Sequence, residues 1–241
     1  MIRLCITIYL LLLVPTLILA APINVYVRLD DPVLAKSVSE FNNELKRRGI
    51  FERYGFEPFL NRHPLHATLY LATYSKARAE EVVEVARRLA CHSLPVRLEI
   101  TGLSLTNTNF VMLNIDNEAM PQNPPLQQLS DMATLKLAGL RDYNAHIPDW
   151  VKSIPAKRKA FERYGSPNVF FEFNPHISLM APVLKEGERS HAFRGEVQTV
   201  IDAWGFPYLT LKPTVLGVGY ADEQGQITKE IAHFELATCP D

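Results

Sequence analysis

His66-Ala67-Thr68-Leu69 and His176-Ile177-Ser178-Leu179 share one pattern: a histidine, an apolar residue, a hydroxyl residue, an apolar residue. Each sits in a run with strand character, residues 65–74 and 174–183. Residues two apart in a strand point to the same face. His66 and Thr68 are therefore expected to project together, as are His176 and Ser178. Ala67, Leu69, Ile177 and Leu179 would then face a core. Two imidazoles and two hydroxyls are the smallest set that can move protons around a phosphate and hold its oxygens.

The correspondence extends upstream. Phe51-Glu52-Arg53-Tyr54-Gly55 recurs as Phe161-Glu162-Arg163-Tyr164-Gly165, and the offset of 110 between these copies is also the offset between His66 and His176. Basic clusters precede both copies, Lys46-Arg47-Arg48 and Lys157-Arg158-Lys159. Downstream, Val96-Arg97-Leu98-Glu99-Ile100 loosely matches Pro207-Tyr208-Leu209-Thr210-Leu211. The chain reads as a duplicated lobe. Its pseudo-symmetric halves, residues 22–119 and 120–241, would place their histidines across a shared cleft. Two copies do not make a solenoid, which needs three or more short repeats.

Two such motifs, each on a strand and in a duplicated frame, resemble the two-histidine (2H) phosphoesterase superfamily. That superfamily includes the RNA 2′,3′-cyclic phosphodiesterases once called 2′-5′ RNA ligases. The resemblance spans most of residues 22–238, with firm matches confined to the motifs. It implies hydrolysis of a cyclic phosphate or phosphodiester, on a nucleotide or an RNA end, without a metal or other cofactor. His66 and His176 would be the general acid and base, with His176 favoured as the base and the roles exchanging with the substrate's orientation. Thr68 and Ser178 would donate hydrogen bonds to the nonbridging phosphate oxygens, where charge gathers in the transition state. The repeated Tyr54 and Tyr164 carry two readings. They flank the cleft and touch phosphate or a base, or they are packed loop aromatics.

Composition limits the function further. The 241 residues are 47% hydrophobic and 21% charged, enough for a sizeable core. A formal charge of −1 argues against broad coating of long nucleic acid but leaves room for a local basic cleft. Residues 1–21 have the layout of a secretory signal peptide: Arg3, then an apolar run, then Ala20-Ala21. The expected address is secreted or periplasmic, as a monomer with no stable membrane partner after cleavage. An uncleaved membrane anchor is the alternative, although Pro15 interrupts the run. Cys91 and Cys239 remain after cleavage. A disulfide and two separate thiols are both open.

The remaining elements follow from periodicity. Strands are predicted at 23–29, 96–105, 110–115, 208–219 and 229–237, besides the two motif strands. Helices are predicted at 33–48, 75–90, 126–137 and 186–203. Asp30-Asp31-Pro32 opens the first helix and Gly49 closes it. Ser75 is the expected cap of the second. Residues 140–173 are the least regular part and read as a lid or binding loop, with a short helix near 156–164. The fold class is α+β: a duplicated two-lobe fold with two antiparallel sheets in a V, helices outside and the active cleft between.

Two other functions use the same residues. One is a non-catalytic secreted protein that binds nucleotide or RNA in the cleft. The other is a metal-dependent hydrolase built on His63-x-x-His66. Positions i and i+3 of a strand face opposite ways and no acidic ligand is near in sequence, which argues against the metal. Lys46-Arg47-Arg48 either complements a helix dipole or borders the phosphate site.

Overall fold

A computed structural model of the chain describes residues 20–116 and 125–239. Residues 1–19 of the predicted signal peptide and the junction between the two sequence halves lie outside the described residues. Eight described strands form two four-stranded sheets, antiparallel at every pairing. One sheet runs in the order β2 (His66–Ser75), β1 (Ala20–Arg28), β7 (Val215–Ala221), β8 (Ile227–Glu235). The other runs β5 (His176–Met180), β4 (Val111–Asp116), β3 (Leu98–Leu105), β6 (Leu209–Leu211). The α+β class with two antiparallel sheets is as expected. The sequence halves interleave, because each sheet takes two strands from each half. The loosely matching stretches near 98 and 209 are direct neighbours, with Leu98 paired to Leu211 and Ile100 to Leu209.

The two motif strands are both edge strands, and β2 and β5 contact each other where the sheets meet. Unpaired backbone groups along an open edge invite foreign strands. Here the Ser130 hydroxyl and the Asp142 N–H donate to the Leu69 and Thr73 carbonyls of β2, and the β2–β5 contact brings both motifs to the junction of the lobes.

Helices cover the sheets. α1 (Pro32–Arg47) packs on α2 (Ile50–Tyr54) and on α7 (Glu188–Trp204), and α7 lies against β3. α3 (Ala79–Cys91) lies on β7 and β8, and α4 (Pro125–Leu137) on β2 and α3. Leu34, Val38, Phe41 and Leu45 of α1 recur at helical spacing and enter one continuous core with Val25, Val27, Phe193 and Val197. Phe41 meets Trp204 edge-on, their rings 5.9 Å apart. The Asp31 carboxylate accepts the N–H groups of Val33 and Leu34 at 2.8 and 2.9 Å, and Gly49 at φ 70° ends the helix, both as expected.

Three expectations are corrected. Ser75 does not cap α3; it is the last residue of β2, held extended opposite Ala20, and a turn of 3-10 helix at Lys76–Arg78 precedes the helix. The predicted strand 208–219 divides into β6 and β7, which belong to different sheets. Pro213, which has no N–H to give to a ladder, lies in the crossing. The second motif strand shortens to His176–Met180 between Pro175 and Pro182. Within residues 140–173 the expected short helix is present as α6 (Pro155–Tyr164), joined by α5 (Asp149–Lys152) and a 3-10 turn at Phe170–Glu172.

The Phe-Glu-Arg-Tyr-Gly repeat has a shared conformation. Each copy ends a helix, α2 or α6, on a left-handed glycine: Gly55 at φ 71° and Gly165 at φ 76°. Each glycine N–H donates to the carbonyl of the repeat's phenylalanine, at 2.9 and 2.6 Å. A Cβ on Gly165 would also fall 2.3 Å from Cδ of Arg141. The cysteine alternatives are decided by the fold, because Cys91 and Cys239 form a disulfide. The neighbouring Ala237 N–H donates to the Ala90 carbonyl at 3.0 Å, tying the C-terminal segment to the end of α3. Among the described residues no helix is long and apolar enough to cross a membrane.

Candidate active site

His66 opens β2 opposite Arg28, and His176 opens β5 opposite Asn114. Nδ1 of His66 donates to the Pro64 carbonyl at 3.0 Å, and Nδ1 of His176 donates to the Asn174 carbonyl at 2.8 Å. A carbonyl can only accept, so Nδ1 carries the proton in both neutral rings. Nε2 is then the nitrogen left to take or give a proton. The same tether, from a ring to the carbonyl two residues back, recurs in both halves. It arises locally, from the way the chain enters each strand.

The His66 ring also senses His176. Burial is the main cause that lowers the pKa of His66 below 6.5. The carbonyls of Pro64 and Gly225 oppose that shift, while the charges of His176 and His63 add to it. His176 is lowered too, first by burial, with the Asn174 carbonyl opposing and the Lys157 cation adding to the fall. Burial thus favours the neutral form of both rings. They differ in access. His66 is 5% exposed, whereas His176, Thr68 and Ser178 are half-buried.

Three groups hold His66 and Thr68 in place. Tyr26 meets the His66 ring edge-on, with centroids 5.4 Å apart, and donates its hydroxyl to Glu230 at 3.0 Å. Gly217 of β7 makes room for that tyrosine, since a Cβ there would lie 2.3 Å from its Cζ. Asn24 is fully buried, and its Nδ2 donates to Thr68 Oγ1 at 2.8 Å and to the Gly225 carbonyl at 3.1 Å. Gly225 belongs to the turn between β7 and β8. Gln224 of the same turn donates to the Ala181 carbonyl, just past β5, at 2.8 Å. The turn therefore links the two lobes beside His66.

The predicted site residues separate into two groups. His66 and His176 come together at the junction, each with its hydroxyl partner, Thr68 or Ser178, two residues on. Tyr54 is buried, donates its hydroxyl to Glu196 at 2.9 Å and packs on Phe193. It lines a neighbouring cleft of about 650 Å3, shared with Phe51, Phe56, Phe59 and His63, which neither motif histidine lines. Tyr164 packs its ring on Phe170, with the Arg163 guanidinium 5.2 Å from the ring centroid, and its carbonyl accepts from Tyr70. Both tyrosines pack against neighbouring aromatics, and Tyr54 also lines that cleft.

Of the basic clusters, the first serves its own helix: Arg47 and Arg48 both bind Glu44. The second contributes Lys157, whose charge reaches His176 and whose Nζ donates to Asn168 at 2.8 Å. Asn24, Lys157 and the Gly225 turn are the site residues that motif reading misses. Lys157 was visible as part of a cluster. Asn24 carries no local signal, because a polar residue in an alternating strand reads as solvent-facing. His63 donates Nδ1 to the Ile227 carbonyl at 2.9 Å. Among the described residues no group of three or more His, Cys, Asp or Glu side chains is placed to hold a metal ion.

No protein-family model matches the sequence, and no curated protein matches it. Solved structures do match. TT0787 of Thermus thermophilus aligns at a TM-score of 0.53 and 14% identity, over 90% of this chain and 98% of that one. E. coli LigT complexed with 3′-AMP aligns at 0.51 and 14% identity, over 91% of this chain and 99% of that one. At such identity the likeness establishes the fold. It is the fold that the resemblance to the two-histidine phosphoesterases implied.

Proposed function

We propose that this chain is a phosphoesterase that opens a cyclic phosphate, of the 2′,3′-cyclic nucleotide or RNA-end type, by paired histidine acid-base catalysis. The observation that carries the reading is the matched tether: two imidazoles at the lobe junction, each with Nδ1 committed to the carbonyl two residues back. One neutral ring takes a proton from water while the other, protonated, gives one to the departing ribose oxygen. The half-buried Thr68 and Ser178 hydroxyls supply hydrogen bonds to the phosphate oxygens. LigT in complex with 3′-AMP supports the substrate class, since a 3′-phosphate is what remains when a 2′,3′-cyclic phosphate opens at the 2′ oxygen.

The surroundings favour His176 as the base and His66 as the acid. Burial first, and the Lys157 cation with it, favour the neutral form of His176 that a base needs. His66 is lowered first by burial as well, but there the Pro64 and Gly225 carbonyls oppose the fall by favouring the protonated form that an acid needs. The reading needs no metal, and hydrolysis is expected to persist in chelator. His66→Ala and His176→Ala are each expected to lower hydrolysis of 2′,3′-cyclic AMP by about a hundredfold or more. Full activity in either folded variant refutes the assignment.

The low exposure of His66 favours a second reading, a nucleotide-binding protein without turnover. Multiple turnovers of 2′,3′-cyclic AMP separate the two, because a binder holds the nucleotide unchanged. We also propose export of the mature chain as a secreted or periplasmic monomer. The Cys91–Cys239 bridge supports an oxidising compartment. Fractionation and N-terminal sequencing of the expressed protein test the address and the cleavage.

A further inference from the structure

We infer that Asn24 is a positioning residue that turns the Thr68 hydroxyl toward the substrate phosphate. The inference rests on the phosphoesterase reading and adds a residue to it. It begins with the Gly225 carbonyl, which can only accept. Its contact with Asn24 at 3.1 Å therefore identifies the near end of the amide as the NH2 group. The same NH2 group lies 2.8 Å from Thr68 Oγ1, so the threonine oxygen accepts there. Its own hydrogen must point elsewhere. Thr68 is half-buried and on the His66 face of β2, so the free hydrogen is left to donate into the site. A phosphate oxygen is the partner it lacks.

Local strand geometry does not impose this contact. Asn24 stands opposite Leu71 in register, and its side chain reaches Thr68 where the β1–β2 register shifts at Val25/Tyr26. Bulges of this kind re-aim side chains near active sites. The arrangement is also costly. Asn24 is completely buried and its Oδ1 has no hydrogen-bond partner. An unsatisfied buried acceptor destabilises the fold. An apolar residue in this strand would avoid that cost, but it could not dictate which way the threonine hydroxyl points.

The test is a double-mutant cycle on hydrolysis of 2′,3′-cyclic AMP, with Thr68→Val, Asn24→Ala, Asn24→Asp and the two combinations. His66→Ala and His176→Ala are run alongside, and thermal melts check folding. Thr68→Val is expected to lower kcat by about a hundredfold, the scale for one preorganised donor. Asn24→Ala is expected to lower kcat by about tenfold with little change in KM, as fits an interaction realised in the transition state. Asn24→Asp is expected to do more harm, because a carboxylate accepts the Thr68 hydrogen and turns it away from the substrate. In the Thr68→Val background neither Asn24 change should lower kcat further. Wild-type kcat in Asn24→Ala, or losses that multiply undiminished with Thr68→Val, would overturn the role of Asn24. So would failure of both Asn24 variants to fold, which would make the residue structural. Retained hydrolysis in the histidine variants would instead overturn the phosphoesterase reading itself, a separate result.

Discussion

A histidine whose pKa is lowered by burial opposes its own protonation, so His66 and His176 tie activity and stability to pH. The folded pKa lies below the unfolded value of about 6.5. The unfolded chain then binds more protons in the window between them. The stabilisation is complete above pH 6.5 and is lost as pH falls through the folded values. Urea midpoints are expected to decline from pH 6.5 downward, and a His66→Asn/His176→Asn double variant is expected to flatten that decline. Carboxylates act in a lower window. Glu44, Glu99 and Glu186 are held at about 2, in first place by hydrogen bonds from Arg47, Tyr208 and Arg194, so they matter only as pH falls below 4.5. For catalysis, the kcat/KM profile of the free protein is expected to be a bell centred below pH 6.5. Lys157→Ala removes a cation that lowers His176 and is expected to move that residue's limb to higher pH.

At the scale of elements, the strands behind the site leave Tyr26 little tolerance. Gly217 leaves space that Tyr26 fills, and Tyr26 backs the ring of His66. Gly217→Ala forces the tyrosine aside, and overpacking of this kind costs about 1–3 kcal/mol. Hydrolysis is expected to fall with it, because His66 loses its edge contact; denaturant melts and kcat read the two effects. Asp31→Ala is the contrast. It removes the cap of α1, costs about 1 kcal/mol, and leaves kcat unchanged because α1 does not reach the histidines. The tandem Phe-Glu-Arg-Tyr-Gly motif belongs to this scale as well. Its glycines are needed for left-handed helix ends, which gives both copies one local conformation.

Over the whole molecule, one covalent link spans 148 residues, from the end of α3 to the C-terminal segment. In the chain-entropy account, closing a loop of that size stabilises by about 4–5 kcal/mol. Cys91→Ser, or reductant added to the wild type, is expected to lower the urea midpoint markedly. The site is expected to keep its activity below the melt, because the bridge lies behind α3 and the histidines lie at the β2–β5 junction. An unchanged midpoint in reductant would show that the native fold holds the C-terminal segment without the bridge.

Much of this was legible in the chain because it depends on short-range rules. Strand periodicity put His66 with Thr68 and His176 with Ser178. Asp31-Pro32 and Gly49 bounded α1, and the equal offsets of the repeats announced a duplicated α+β fold. Only the tertiary structure decided the rest. The interleaving of halves, the meeting of edge strands β2 and β5, the division of 208–219 between sheets and the Cys91–Cys239 pairing all depend on contacts between distant residues. Asn24, Gly225 and Lys157 join the site for the same reason. A hydrogen bond or a Coulomb interaction acts through space, and local sequence carries no record of which distant group will be within its reach.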